Sequence, residues 1–280
     1  MTGWYGLDDR WVWRDAGDIH WAEDSFLTDT GMVAQGFSSR TGGVSRLPYA
    51  SLNVGYSSGD DPDAIRENRR RLSSAIGLPI ERWACVRQMH GTGVKRTVIA
   101  DAGTGIMDPI IRLTRADAQI TDERGIALVT LHADCLPIYI LDPKKPAIGL
   151  AHAGWRGTLK NMAGAIVEAM EQAFGSNPAD LFASIGPGAG VCHYEVDEPV
   201  LSHVEMCFEA WPGVTETMLR PSSRGGRAYL DMYNANAFLL AQSGIPKQQI
   251  SVSGLCTMCD NEKFFSYRKK DKGRQLAFFA

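Results

Sequence analysis

The sequence predicts an α+β fold, read as a single domain over residues 1–280, on three observations. Short apolar, β-prone runs crowd residues 125–141 and 146–152, with no helical pattern between them. An amphipathic helical pattern follows at 158–174. The later strands and helices then mix without the strict β-α-β order of a doubly wound sheet.

Taken in order, residues 32–57 are rich in Gly and Ser between short apolar pieces, predicting a strand, a long loop and a second strand. Residues 63–76 space Ile65, Leu72 and Ile76 as one helical face, with Asp61 or Asp63 as the cap. The run 125–141 reads as two strands interrupted by His-Ala-Asp-Cys, and 146–152 as a strand ending at His152. Over 158–174 the apolar face is Met162, Ile166, Met170 and Phe174, with Gly175 as the stop. A strand ending in IGPG (185–188), helices at 197–210 and 231–243, and a final strand pair at 250–256 and 274–279 complete the prediction.

With 44% hydrophobic and 22% charged residues the composition is that of an ordinary globular protein, near the upper size for one core. A net charge of -3 gives no electrostatic reason to expect nucleic acid or an anionic membrane as partner. The basic run Arg69-Arg70-Arg71 is therefore read as a solvated helix face. No apolar run reaches the ~18 residues of a membrane span. The acidic, aromatic start MTGWYGLDDRWVWRD lacks the pattern of a signal peptide, so a cytoplasmic protein is expected. Its six cysteines are accordingly expected to be reduced, some of them as metal ligands.

Three residues stand at the ends of apolar strands with metal-binding chemistry: His90 in RQMHGTGV, Cys135 in HADCLP and His152 in LAHAGWRG. One thiolate and two imidazoles suit zinc, and three ligands leave a tetrahedral position open, as catalytic zinc requires. Taken singly, each residue reads more readily as a packed core histidine or buried thiol. Cys256-Thr-Met-Cys259 is a CxxC without a thioredoxin-like setting, read as packing thiols ahead of a redox or structural zinc pair. The turn AGWRGT (153–158) opens into a helix and offers Arg156 for an anion, and Arg40 in FSSRTGG is a second Gly-flanked arginine. Turn chemistry with surface arginines explains both equally well. Tyr267 and Arg268 in FFSYRK could stack on an aromatic base, beside core Phe264 and Phe265 in a strand. Asp117 and Asp134 are candidate acids or orienters of ligands.

The segments FSSRTGGVS (37–45), QMHG (88–91), ADAQIT (116–121), ADCLPI (133–138), AHAGWRGT (151–158), LDMYNAN (230–236) and CT…FFSYRK (256–269), in this order, resemble the YfiH/YlmD family. That family has been labelled polyphenol oxidase or laccase domain-containing, and its animal member is the FAMIN type. The resemblance runs from about residue 30 to the end and leaves residues 1–25 as an N-terminal extension of unknown role. It implies a YfiH-like αββα domain of mixed sheets, with zinc on His90, Cys135 and His152. It further implies phosphorolysis of adenosine, inosine, guanosine and methylthioadenosine, with deamination of adenosine; some relatives are linked to peptidoglycan precursor editing.

A laccase needs paired His-x-His ligands around several coppers. The histidines here are 20, 90, 132, 152, 193 and 203, and no two lie two apart. Copper oxidase chemistry is thus reduced to an alternative metal at the same ligands. The H-x-E with P-C-x-x-C signature of zinc deaminases is absent, so deamination here would use an unrelated arrangement. A Cys-His hydrolase with Cys135 as nucleophile, a precursor-editing hydrolase and a non-catalytic binding module are the remaining alternatives. The expectation is a monomeric, zinc-dependent purine nucleoside phosphorylase with adenosine deaminase activity, its partners being the nucleoside and phosphate.

Overall fold

A computed structural model describes residues 10–108 and 113–280. The chain opens with an antiparallel hairpin, β1 (Trp11–Ala16) and β2 (Ile19–Asp24), turning at Gly17 with φ +62°. Residues 11–24 of the segment set aside as an extension are thus strands of a sheet, while residues 1–9 lie outside the described residues. Asp24 caps a short helix, α1 (Ser25–Thr28), and β3 (Gln35–Ser38) follows. The second strand expected before residue 57 does not form. Asn53 Oδ1 accepts from Gly55 N and Arg274 N, so a side chain takes donors a strand ladder would use.

α2 (Pro62–Ile76) has its cap at Asp61, which accepts from Asp63 N, and ends at Gly77 with φ +68°. One part of the basic run departs from expectation. Arg69 is buried and donates to the carbonyls of Val54 and Ile106 while stacking on Tyr56; Arg70 and Arg71 alone form the exposed face.

The central strands are β4 (Trp83–Ala84), β5 (Val94–Arg96), β6 (Ala118–Thr121), β7 (Ala127–His132), β8 (Leu136–Asp142) and β9 (Ala147–Ala153). The helix expected over 158–174 is two, α3 (Trp155–Leu159) and α4 (Met162–Phe174), because Asn161 turns left-handed at φ +62° and caps the second through Gly164 N. The rest comprises β10 (Phe182–Ile185), β11 (Glu195–Val196), α5 (Val200–Phe208), α6 (Thr215–Met218), β12 (Leu219–Pro221), β13 (Ala228–Leu230), α7 (Met232–Gln242), β14 (Ile250–Val252) and β15 (Gln275–Phe279).

Two six-stranded mixed sheets result, in the orders β1-β2-β3-β15-β7-β4 and β14-β10-β8-β9-β6-β5, beside a small β11-β13-β12 sheet. The expected final strand pair is divided between them: β14 lies parallel to β10, whereas β15 lies between β3 and β7. Alternation along the strands builds the layers. In β8, Tyr139 and Leu141 meet Phe37, Leu128 and Phe279 of the other sheet, whereas Ile138 and Ile140 face Ile166, Met170 and Leu240 of α4 and α7. On the first sheet, Leu276 and Phe278 turn outward to pack with Leu72 of α2. The order is therefore helix, sheet, sheet, helix. Strands covered on both faces read as unbroken apolar runs, which is why 125–141 was legible. Each fully buried Ile, Leu or Met in these layers contributes roughly 1.5–3 kcal/mol. Among the described residues, no helix is long and apolar enough to cross a membrane.

Candidate metal centre

The connection between β7 and β8 presents Cys135, and its shape is fixed by Asp134, held left-handed at φ +84°. The Asp134 carboxylate accepts from Thr257 Oγ1 at 2.7 Å and Arg268 N at 2.8 Å, and its carbonyl accepts from Ala189 N at 2.8 Å. Those bonds offset the conformational cost, of order 1–3 kcal/mol, of an unusual backbone. His152 is on β9, opposite Pro137 of β8. Its neighbours Ala151 and Ala153 pack on the helix side, so alternation turns the imidazole the other way. His90 comes from the loop before β5 and is itself left-handed, at φ +58°. Gln88 pins that loop to β7 by exchanging two 2.8 Å bonds with the backbone of Leu131.

Asp117 joins these pieces. Its buried carboxylate accepts from the backbone N–H groups of Met89, His90 and Gly91, the last two at 2.8 and 2.7 Å, and from His152 Nδ1 at 3.1 Å. Burial acts to raise its pKa, but the bonds from His152, Gly91 and Met89 outweigh burial and hold it below the ordinary carboxylate value. One residue thus shapes the His90 loop and fixes the His152 tautomer, leaving Nε2 to face the site.

The ligand atoms of His90, Cys135 and His152 all lie within 4.8 Å of one another. His152 is buried, Cys135 half-buried and His90 exposed, so the cluster opens to solvent at His90. The donor set fits zinc, and the backbone leaves room for it. A Cβ on Gly154 would come within 2.9 Å of Cys135 Sγ and 3.1 Å of His90 Nδ1, so any side chain there would crowd the ligand atoms. The residues also act on one another electrostatically. Burial pushes the Cys135 thiol up, but His152 and His90 pull it down to about 6. Burial pushes His152 down, but the Cys135 thiolate and Asp117 lift it to about 9. The Cys135 thiolate and the His152 imidazolium therefore favour each other, and a dication held by these residues would take over the role of that proton.

His132 is close but already committed. Its Nδ1 bonds the Cys135 carbonyl at 2.9 Å and its Nε2 bonds Thr130 Oγ1 at 2.8 Å. Burial, with His152 nearby, holds its pKa well below the ordinary imidazole value, so it stays neutral. The two arginines differ. Arg156 is exposed on α3 with its guanidinium 4.2 Å over the Trp155 ring. Arg40 directs every N–H group inward: to the Asp271 carboxylate at 3.2 Å and to the carbonyls of Ala50 and Asn261, above the Phe265 ring. Segment 264–269 is a series of turns rather than a strand, with Phe264 and Phe265 buried and Tyr267 67% exposed. A recess of about 590 Å³ beside Asp60, Asp61, Asp63, Glu67 and Arg46 shares no residue with the cluster, and its four carboxylates against one arginine disfavour phosphate.

No signal in the sequence marked Gly154 as the space-maker. The CxxC of Cys256 and Cys259, read from sequence as packing thiols, is joined in the fold by Cys192 and His193, which nothing in the sequence pointed to, in a second cluster of ligand atoms within 4.8 Å of one another. An alternating-sheet core carrying an open Cys/His cluster, bound from three separate loops and strand ends, defines the class. The chain belongs to the family described as multi-copper polyphenol oxidoreductase laccase, whose model matches residues 34–280. It is 39% identical over 250 residues to purine nucleoside phosphorylase YlmD of Geobacillus stearothermophilus, covering 89% of each chain. With purine nucleoside phosphorylase YfiH of Escherichia coli it shares 35% identity over 248 residues, 88% of this chain and 93% of that one. The fold matches the crystal structure of YlmD from Geobacillus stearothermophilus with a TM-score of 0.89 at 34% identity, covering 98% and 99% of the two chains. Bacillus licheniformis YfiH matches at 0.87 and 31% identity, over 96% and 98%. The expected resemblance to the YfiH/YlmD proteins and the α+β fold are both found.

Proposed function

We propose that this chain is a zinc-dependent purine nucleoside phosphorylase, with adenosine deaminase activity at the same site. The observation that carries the reading is the open cluster of His90, Cys135 and His152 fixed by Asp117. The names of the relatives, both purine nucleoside phosphorylases, supply the substrate class. Zinc held by these three residues would supply Lewis acidity.

In phosphorolysis a phosphate oxygen forms a bond to C1′ while the bond from C1′ to the purine nitrogen breaks. The electron pair leaves with the base, which takes up a proton, giving ribose 1-phosphate and free purine. Arg156 offers a planar fork for the phosphate from the first turn after Gly154. Arg40, also proposed toward phosphate, has its N–H groups bound to its own loops, so its part is to hold those loops in place. Tyr267 offers an exposed ring for the purine. Tyr267 directly precedes Arg268, whose backbone N–H donates to Asp134, the residue before Cys135, and Arg274 lies 6.0 Å from the Tyr267 ring. In deamination, water adds at C6 of adenine and ammonia leaves.

Two observations weigh against the other readings. Of the described histidines, His90, His132 and His152 gather here, but both ring nitrogens of His132 are already bonded, so two imidazoles remain, which provides no multicopper array. A Cys135 nucleophile is supported by the Asp117–His152–Cys135 alignment, but such a nucleophile needs one imidazole, and two converge on this thiol. The test is chromatography of adenosine and inosine incubated with zinc-quantified protein, with and without phosphate. Free base formed only with phosphate, and lost together with the zinc of this cluster in His152→Ala, is the expected result. No turnover by zinc-loaded protein refutes the proposal.

A further inference from the structure

We propose that Cys192, His193, Cys256 and Cys259 form a second zinc site, closed by four protein ligands and structural in role. Cys192 Sγ and Cys259 Sγ lie 3.4 Å apart, and His193 Nδ1 lies 3.3 Å from the first and 3.4 Å from the second. Zinc at about 2.3 Å from sulfur and about 2.0 Å from nitrogen sets ligand atoms roughly 3.5–3.8 Å apart in a tetrahedron. The four atoms here, all within 4.8 Å, need only small side-chain rotations to reach that arrangement. The sulfur separation is far beyond the roughly 2.05 Å of a disulfide, and all three cysteines are free.

Packing does not account for the group. Cys256 is buried, but Cys192, His193 and Cys259 are exposed, and exposed thiols contribute nothing to a core. Two backbone features fit a bound thiolate instead. Gly190 N donates to Cys256 Sγ at 3.3 Å, the kind of N–H···S bond that supports a metal-bound sulfur. Gly190 also lacks a Cβ that would stand 3.2 Å from Cys192 Sγ and 3.3 Å from Cys256 Sγ. Three thiolates and one imidazole are a set that selects zinc over calcium or magnesium, and four ligands leave no open position.

The site joins two loops that also meet through backbone bonds, among them Gly188 N to Leu255 O at 3.2 Å. Gly188 and Cys256 form an isolated bridge, with Thr257 N donating to Gly188 O at 2.9 Å. Both loops end on Asp134, through Ala189 N and Thr257 Oγ1, one residue before Cys135. A metal that locks them together therefore braces the turn presenting Cys135. The inference stands on this cluster's own geometry and does not depend on the proposed activity.

The test is zinc content by elemental analysis of the full chain, purified with zinc and a reductant. Wild type is expected to hold about two zinc ions per chain. Cys192→Ser/Cys259→Ser should lose one equivalent, Cys259→His should keep it, and His152→Ala should lose only the other. Site-resolved alkylation of the wild type covers the case in which the serine variant does not fold. Zinc should protect Cys192, Cys256 and Cys259, and a chelator should expose them. Full zinc content in the double serine variant, or equal alkylation of these thiols with and without zinc, overturns the proposal.

Discussion

Replacing Asp117 by Asn should separate the orienting of the metal ligands from the ligands themselves. The carboxylate accepts from three consecutive N–H groups, at Met89, His90 and Gly91, and from His152 Nδ1. Asparagine keeps one acceptor oxygen and presents an NH2 group to donors in place of the other. If the NH2 takes the place of Oδ2, it faces Gly91 N; if it takes the place of Oδ1, it faces both His90 N and His152 Nδ1. Either way a buried donor loses its acceptor, at about 1–3 kcal/mol of fold stability. Loss of a partner that orients a metal ligand lowers metal affinity roughly 10–100-fold, or about 1.4–2.7 kcal/mol. In the orientation that releases the His90 N–H, the left-handed His90 also relaxes, which puts the effect toward the upper end. The assay is competition for zinc against a chromophoric chelator at neutral pH, alongside thermal unfolding of the metal-free protein. Asp117→Asn should bind zinc at the His90 cluster at least ten times more weakly, with a lower Tm. Zinc affinity within threefold of wild type would refute the view that this carboxylate builds the centre.

Two further outcomes follow from the same geometry. Gly154→Ala sets a methyl group against Cys135 Sγ and His90 Nδ1, so zinc at this cluster should fall by at least one order of magnitude while circular dichroism stays native; elemental analysis showing unchanged zinc would refute this. In the metal-free protein the Cys135 thiol sits at about 6, below its ordinary value of 9.0, so its stabilising share is lost as pH falls through about 6. The His152 value, about 9 against an ordinary 6.5, is raised, so its share is lost as pH rises through about 9. Thiolate absorbance of metal-free protein should thus show Cys135 ionised at pH 7 and shifted upward in His152→Ala; a wild-type thiol titrating at its ordinary value would refute the pairing.

Much of this protein was legible as sequence because the relevant signals are local. Helix α2 announces itself through Asp61, Pro62 and the spacing of Ile65 and Leu72, and β7, β8 and β9 through apolar runs that both sheet faces bury. His90, Cys135 and His152 were legible as candidates because each ends or follows such an apolar run. What sequence could not supply was pairing across distance. Strands β14 and β15 are neighbours in sequence yet join different sheets, since sheet membership depends on which edges remain open when the layers close. Arg69 looked like part of a solvated face, but the carbonyls of Val54 and Ile106 converge on it only in the folded chain. Arg40 lost its free donors to Asp271, 231 residues away. Asp117 as clamp, Gly154 as the space beside the thiolate, and Cys192 with His193 completing the Cys256–Cys259 pair all belong to the same kind. The sequence alone marked most of the central strands and helices and the residues whose side chains can bind a metal, because periodicity and side-chain chemistry are properties of a short stretch of chain. The tertiary structure decided which of those residues meet, because hydrogen bonds and metal sites reach only a few ångströms and distances that short between remote residues exist only after the sheets have packed.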